Sequence, residues 1–197
     1  YRPSTRKCIR HYLMSYILVL YHSSHGSVKS MAHEICDAIS SNSMEVKLRT
    51  FTKQSESDIV VTQDDLMHCQ ALAFGSPTRF GMMASQAKSF WETTSELWLK
   101  GRLIDKPASV FTSSSSMHGG NESTLLTLSL PLLHHGMMLL GVPYDIPELS
   151  STQSGGTPYG ASHVSGLGNS TELSSHEIKI CHSVGHRLAK ITQQLNK

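Results

Sequence analysis

From Tyr16 onward, short runs of consecutive apolar residues alternate with stretches in which apolar positions recur every three or four residues. The run Tyr16-Ile17-Leu18-Val19-Leu20-Tyr21 reads as a parallel strand buried on both faces. A Ser/His/Gly loop follows, and then Val28, Met31, Ala32, Ile35 and Ile39 fall on one helical face. Ser40-Ser41-Asn42-Ser43 breaks that helix, and Val46, Leu48 and Phe51 mark a second, more alternating strand. Residues 52–65 predict a surface loop ending in a brief helical turn. Ala71-Leu72-Ala73-Phe74 predicts a third strand stopped at Gly75-Ser76-Pro77, followed by a helix over 83–99 that buries Ala87, Phe90, Trp91 and Leu97. Ala108-Ser109-Val110-Phe111 predicts a fourth strand, then a Ser/Gly loop and a helix over 123–134 that Pro131 should kink or shorten. Residues 137–140 predict a fifth strand, and a Gly/Pro/Ser segment extends to residue 171. Ser174 and Glu177 form a capping box for a last helix with Ile178, Cys181, Leu188, Ile191 and Leu195 on one face.

Five strands alternating with helices imply an α/β protein: a three-layer sandwich whose parallel sheet carries helices on both faces. The right-handed crossover rule makes 2-1-3-4-5 the leading strand order. At 197 residues the chain fits one domain, read here as 14–197. Residues 1–13 are basic and irregular and read as an extension ahead of a natural start at Met14. With 39% hydrophobic and 16% charged residues the chain can bury a core, yet no apolar run approaches a membrane span. A net charge of +2 without a Lys/Arg block excludes an evident nucleic-acid footprint. Cys8, Cys36, Cys69 and Cys181 are widely spaced and read as reduced thiols of a cytoplasmic protein.

In an open parallel sheet, ligands bind beyond the carboxyl ends of the strands. The loop after the first strand is Ser23-Ser24-His25-Gly26-Ser27-Val28. Hydroxyls and free amides at a helix start suit a phosphate, and the absence of a lysine favours a monophosphate over ATP. The loop after the third strand is Pro77-Thr78-Arg79-Phe80-Gly81, stiffened by Pro and Gly so that its amides can face a flat ring. After the fourth strand comes Ser113-Ser114-Ser115-Ser116-Met117-His118-Gly119. Twelve histidines invite a metal, but His33-Glu34 is followed by Asp37 where H-E-x-x-H needs histidine, so no metal site is expected.

Three collinear motifs carry a resemblance: Gly75-Ser76-Pro77-Thr78-Arg79-Phe80-Gly81, Leu133-His134-His135-Gly136, and Gly155-Gly156-Thr157-Pro158-Tyr159-Gly160. Together they resemble the WrbA family of FMN-dependent NAD(P)H:quinone oxidoreductases with a flavodoxin-like fold. The resemblance implies that residues 23–28 hold the FMN phosphate. It implies that Thr78, Arg79 and Phe80 line the isoalloxazine, and that residues 113–118 wrap the ribityl chain. It also implies that Trp98 walls the place where nicotinamide or quinone stacks, and that His134 approaches the flavin and is the candidate catalytic residue. His25 stands where the family often carries a tyrosine in nicotinamide contact. NADH or NADPH as donor, a two-electron ping-pong reduction of quinones and a homotetramer joined partly through residues 155–160 follow from the same resemblance. The alternative is a flavodoxin-type one-electron carrier. Such carriers are typically acidic, which a net charge of +2 disfavours.

Overall fold

The computed structural model describes residues 15–197, so the expected extension at 1–13 lies outside the described residues. The buried apolar runs form the parallel strands β1 (Tyr16–Tyr21), β3 (Ala71–Pro77) and β4 (Pro107–Ser114), and the alternating segment forms the partly buried β2 (Glu45–Thr50). The short β5 (Met138–Leu139) and β6 (Ala161–Val164) both pair with β4. The sheet order is β2-β1-β3-β4-β5, the flavodoxin-like order, with β6 beside the second half of β4. Helices α1 (Ser27–Ser41) and α7 (Ser175–Leu195) cover one face through Met31, Ile35, Ile180, Cys181 and Leu188. The other face is covered by α2 (Gln63–His68), α3 (Ser85–Glu92), α4 (Ser95–Leu99) and α5 (Asn121–His134), with Leu66, Trp91, Leu97, Leu125 and Leu128 inward.

Four features depart from the sequence reading. First, β3 runs on through Gly75-Ser76-Pro77. A Cβ at Gly75 would lie 2.2 Å from the Phe111 ring, so glycine there makes room for a core aromatic. β4 likewise continues to Ser114, and Ser113 and Ser114 are buried strand residues. Second, the helix expected over 83–99 is broken at Thr93-Thr94, where both hydroxyls return to carbonyls of the preceding turn, Phe90 O and Trp91 O, at 2.7 Å. Third, residues 141–171 are not one connection. They leave the sheet after β5, form α6 (Pro147–Ser151), and re-enter as β6 in register Phe111↔Ala161. Cβ atoms at Gly155 and Gly160 would meet Ser162 O at 1.9 Å and Val110 O at 2.2 Å, so these glycines allow the re-entry within the chain itself. Fourth, α7 buries Glu177, Ile180, Cys181, Val184 and Leu188, whereas Leu195, assigned to the apolar face, is exposed. Pro131 sits in the last turn of α5, which still reaches His134. No helix among the described residues is long and apolar enough to cross a membrane.

Candidate active site

The ends of β1, β3 and β4 bring the three loops to one edge of the sheet. They line two adjoining cavities that share Ser24, Arg79 and Phe80. The smaller, about 350 Å³, is bounded by Ser23, Ser24, His25, Ser27, Val28, Pro77, Thr78, Arg79, Phe80, Ser113, Ser114, Ser115 and Gly119. No side chain caps α1 at this point. Instead Ser23 Oγ accepts the Gly26 amide at 3.0 Å, and the first intrahelical bond runs from Ser30 N to Gly26 O. The amides of Ser27, Val28 and Lys29 therefore lack intrahelical partners, and the positive end of the helix dipole faces the cleft. Gly26 has φ 100°, and a Cβ there would sit 2.9 Å from Thr171 Cγ2, so a side chain would be both strained and crowded.

The second loop is a tight turn. Phe80 and Gly81 have φ 52° and 77°, and Arg79 and Met82 exchange backbone hydrogen bonds of 2.8 and 3.1 Å. A phenylalanine in the left-handed region costs about 1–2 kcal/mol, and its ring is 104% exposed, so packing within the chain does not hold it there. It lines both cavities. The Thr78 amide donates to Ser113 O and the Arg79 amide to Met82 O, so two of the three amides expected to face a ligand are already committed. Among the described residues the Phe80 amide finds no partner. Arg79 Nη2 donates to Ser24 Oγ at 2.6 Å. The cation missing from the first loop thus comes from the second.

The larger cavity, about 920 Å³, carries Trp98, His134, Phe80 and Arg79 together with His22, Met82, Trp91, Leu130 and His135. His25 lines the smaller cavity and Trp98 the larger. His134 is exposed at the end of α5, whereas its neighbour His135 is buried. The Thr94 hydroxyl is used on Trp91 O, so His135 Nε2 donates to Thr94 Oγ1 at 2.9 Å and Nδ1 is left as a bare acceptor. Burial, with a smaller push from His134, lowers the His135 pKa and keeps the ring neutral. Burial and the Arg79 charge lower that of His22.

Gly26, Gly81, Ser116, Met117 and His118, all expected at the cofactor, line neither cavity. Gly81 instead fits under Gly120, whose Cβ would approach Gly81 Cα to 3.1 Å, and Ser116 O accepts from Ser114 Oγ at 2.7 Å. Two residues not identified from the sequence, Ser165 and Asn169, complete the smaller cavity. Ser165 N and Oγ both donate to Ser114 O, and its place after β6 was hidden inside a segment read as loop. Among the described residues no three His, Cys, Asp or Glu side chains converge as metal ligands would.

The comparisons agree with this geometry. Residues 19–125 match the family model described as Flavodoxin. A Chromohalobacter salexigens protein named NAD(P)H dehydrogenase (quinone) is 37% identical over 92% of this chain and 99% of its own length. The chain belongs to the WrbA family of flavodoxin-like quinone oxidoreductases. A Rhizobium rhizogenes relative of the same name is 36% identical over 92% of this chain and 99% of its own. The solved structure of a WrbA-like flavodoxin from Agrobacterium tumefaciens superimposes with a TM-score of 0.70 at 24% identity, covering 91% of this chain and 98% of that one. In WrbA-family terms, the helix start at Gly26 and the turn at Phe80 occupy the sheet edge at which flavodoxin-like proteins bind ligands.

Proposed function

We propose that this WrbA-family chain binds FMN in the smaller cavity and reduces quinones with electrons from NADH or NADPH, each substrate entering the larger cavity in turn. The observation that carries this reading is the junction: a polar cleft at an uncapped helix start opens past Arg79 and Phe80 into a roomy aromatic cavity. The donor set fits the cofactor, since unpaired amides and hydroxyls suit a monophosphate and Phe80 and Trp98 suit flat rings. When bound, FMN supplies hydride acceptance from the nicotinamide and two-electron delivery to the quinone.

The chain's own residues bind and orient. Amides at the start of α1 and the Ser23 hydroxyl hold the phosphate end. The Phe80 amide and the Arg79 guanidinium place positive potential where negative charge develops. Trp98 and Phe80 provide stacking surfaces, and His134 donates a hydrogen bond or proton to the quinone oxygen. A single substrate cavity makes the kinetics ping-pong. Exposed Leu126, Leu130 and Leu133 recur at spacings of four and three along α5, an apolar stripe suited to the homotetramer expected of the family.

The test is to reconstitute the purified protein with FMN and follow NADH and NADPH oxidation with and without benzoquinone. Rapid quinone-dependent turnover with parallel double-reciprocal lines supports the reading. FMN binding with negligible NAD(P)H oxidation would indicate the one-electron carrier instead.

A further inference from the structure

The WrbA-family reading leaves a buried pair unused. His163 on β6 and Glu177 on α7 are each 1% exposed, and the ring is bonded on both edges. His163 Nε2 lies 3.0 Å from Ser170 O and Nδ1 lies 3.0 Å from Glu177 Oε2. A backbone carbonyl can only accept, so Nε2 carries a proton. The carboxylate already accepts the Gly155 and Val164 amides on Oε1 and the Ser174 amide on Oε2. Three backbone amides donating to one carboxyl group favour its ionised form, and a carboxylate can only accept, so Nδ1 carries a proton as well. The ring is therefore an imidazolium with its carboxylate on the α7 side and its other N–H turned towards Ser170.

Ser170 O is also the acceptor of the Ser27 hydroxyl, at 2.9 Å, and Ser27 opens α1 at the smaller cavity. Ser165 and Asn169, in the same turn, line that cavity. One carbonyl thus ties a buried cation to the uncapped helix start, and one side chain fixes the turn that closes the cleft. We infer that His163 is a positioning residue for the phosphate end of the cofactor: ion-paired with Glu177, it holds the 165–170 turn against α1 through Ser170 O. This rests on the FMN reading above. His163 acts alongside Arg79, whose guanidinium reaches Ser24 from the second loop.

Glu177 is the charged group that acts on the ring. The Cys181 thiol, one turn along α7, is held neutral, pushed far up by burial and by the Glu177 and Glu34 charges. The Glu34 carboxylate on α1 is itself engaged by His182 at 2.7 Å. From β4, the partner in register with His163 is Ser113, which does not titrate.

The experiment compares FMN with riboflavin, which lacks the phosphate, by quenching of flavin fluorescence at pH 7. His163→Gln should weaken FMN binding by about tenfold, the scale of one hydrogen bond to a charged group, while leaving riboflavin affinity within about twofold. Glu177→Gln keeps the outline of the α7 cap but removes the countercharge. It should give the same selective loss, and it provides a second route if His163→Gln does not fold. Equal loss for both flavins would show a merely structural role and overturn the inference, as would unchanged FMN affinity. Wild-type protein that quenches neither flavin would instead overturn the FMN reading itself.

Discussion

At the scale of single residues, the site is made of groups whose charge is set by their neighbours. Burial alone would push the Glu177 carboxyl up, but the His163 N–H and the backbone amides outweigh it and bring the pKa to about 2. Burial opposes the His163 charge, yet the Glu177 and Ser170 acceptors reverse this and raise its pKa above 6.5. The Glu177 contribution to stability is present above the ordinary carboxyl value of 4.5 and is lost as pH falls through its folded value. The His163 contribution is present below 6.5 and is lost as pH rises through its raised folded value. In thermal melts, the advantage of wild type over Glu177→Gln should therefore shrink progressively from pH 4.5 towards 2. At the larger cavity, His134→Ala should lower kcat with benzoquinone by about tenfold, the order of one lost hydrogen bond, with FMN affinity unchanged. Equal kcat in stopped-flow turnover would remove His134 from the reaction.

At the scale of elements, each site loop takes its shape from the element it joins. α1 starts without a side-chain cap, whereas α7 carries a complete capping box between Ser174 and Glu177. The contrast has a physical reason: the amides of α1 face the proposed ligand, while at the start of α7 the Ser174 hydroxyl takes the Glu177 amide and the Glu177 carboxylate takes the Ser174 amide. Ser174→Ala should cost about 1 kcal/mol, measurable as a lower denaturant midpoint with an unchanged slope. The same comparison at α1 would show little dependence on a capping side chain. β5 and β6 share one position in the sheet, so the excursion between them is anchored at both ends by pairing to β4.

At the scale of the whole molecule, two apolar layers sandwich the sheet, and the helices of the second layer still expose leucines. If the α5 stripe is the contact between subunits, Leu130→Glu should shift the protein to smaller species in size-exclusion chromatography with light scattering. Because Leu130 also lines the larger cavity, the same variant should weaken quinone use. An unchanged mass would remove the stripe from the assembly.

Strand order, the helix faces of α1 and the loops at Ser23–Val28 and Pro77–Gly81 were legible in the sequence. Local periodicity reports burial, and loop position follows from the parallel crossover. The split of the fifth strand was not legible, because β5 and β6 are short and owe their strand geometry to pairing with β4. Nor were Ser165, Asn169 and the His163–Glu177 pair, since a residue's partners across 14 or 51 positions of chain leave no local pattern. The sequence by itself determined which loops reach the ligand edge of the sheet. Only the tertiary structure decided which amides remain free there, and that the buried His163–Glu177 pair holds the turn carrying Ser165 and Asn169 at the smaller cavity. Hydrogen-bond partners and burial are properties of the folded neighbourhood, and the chain order does not contain them.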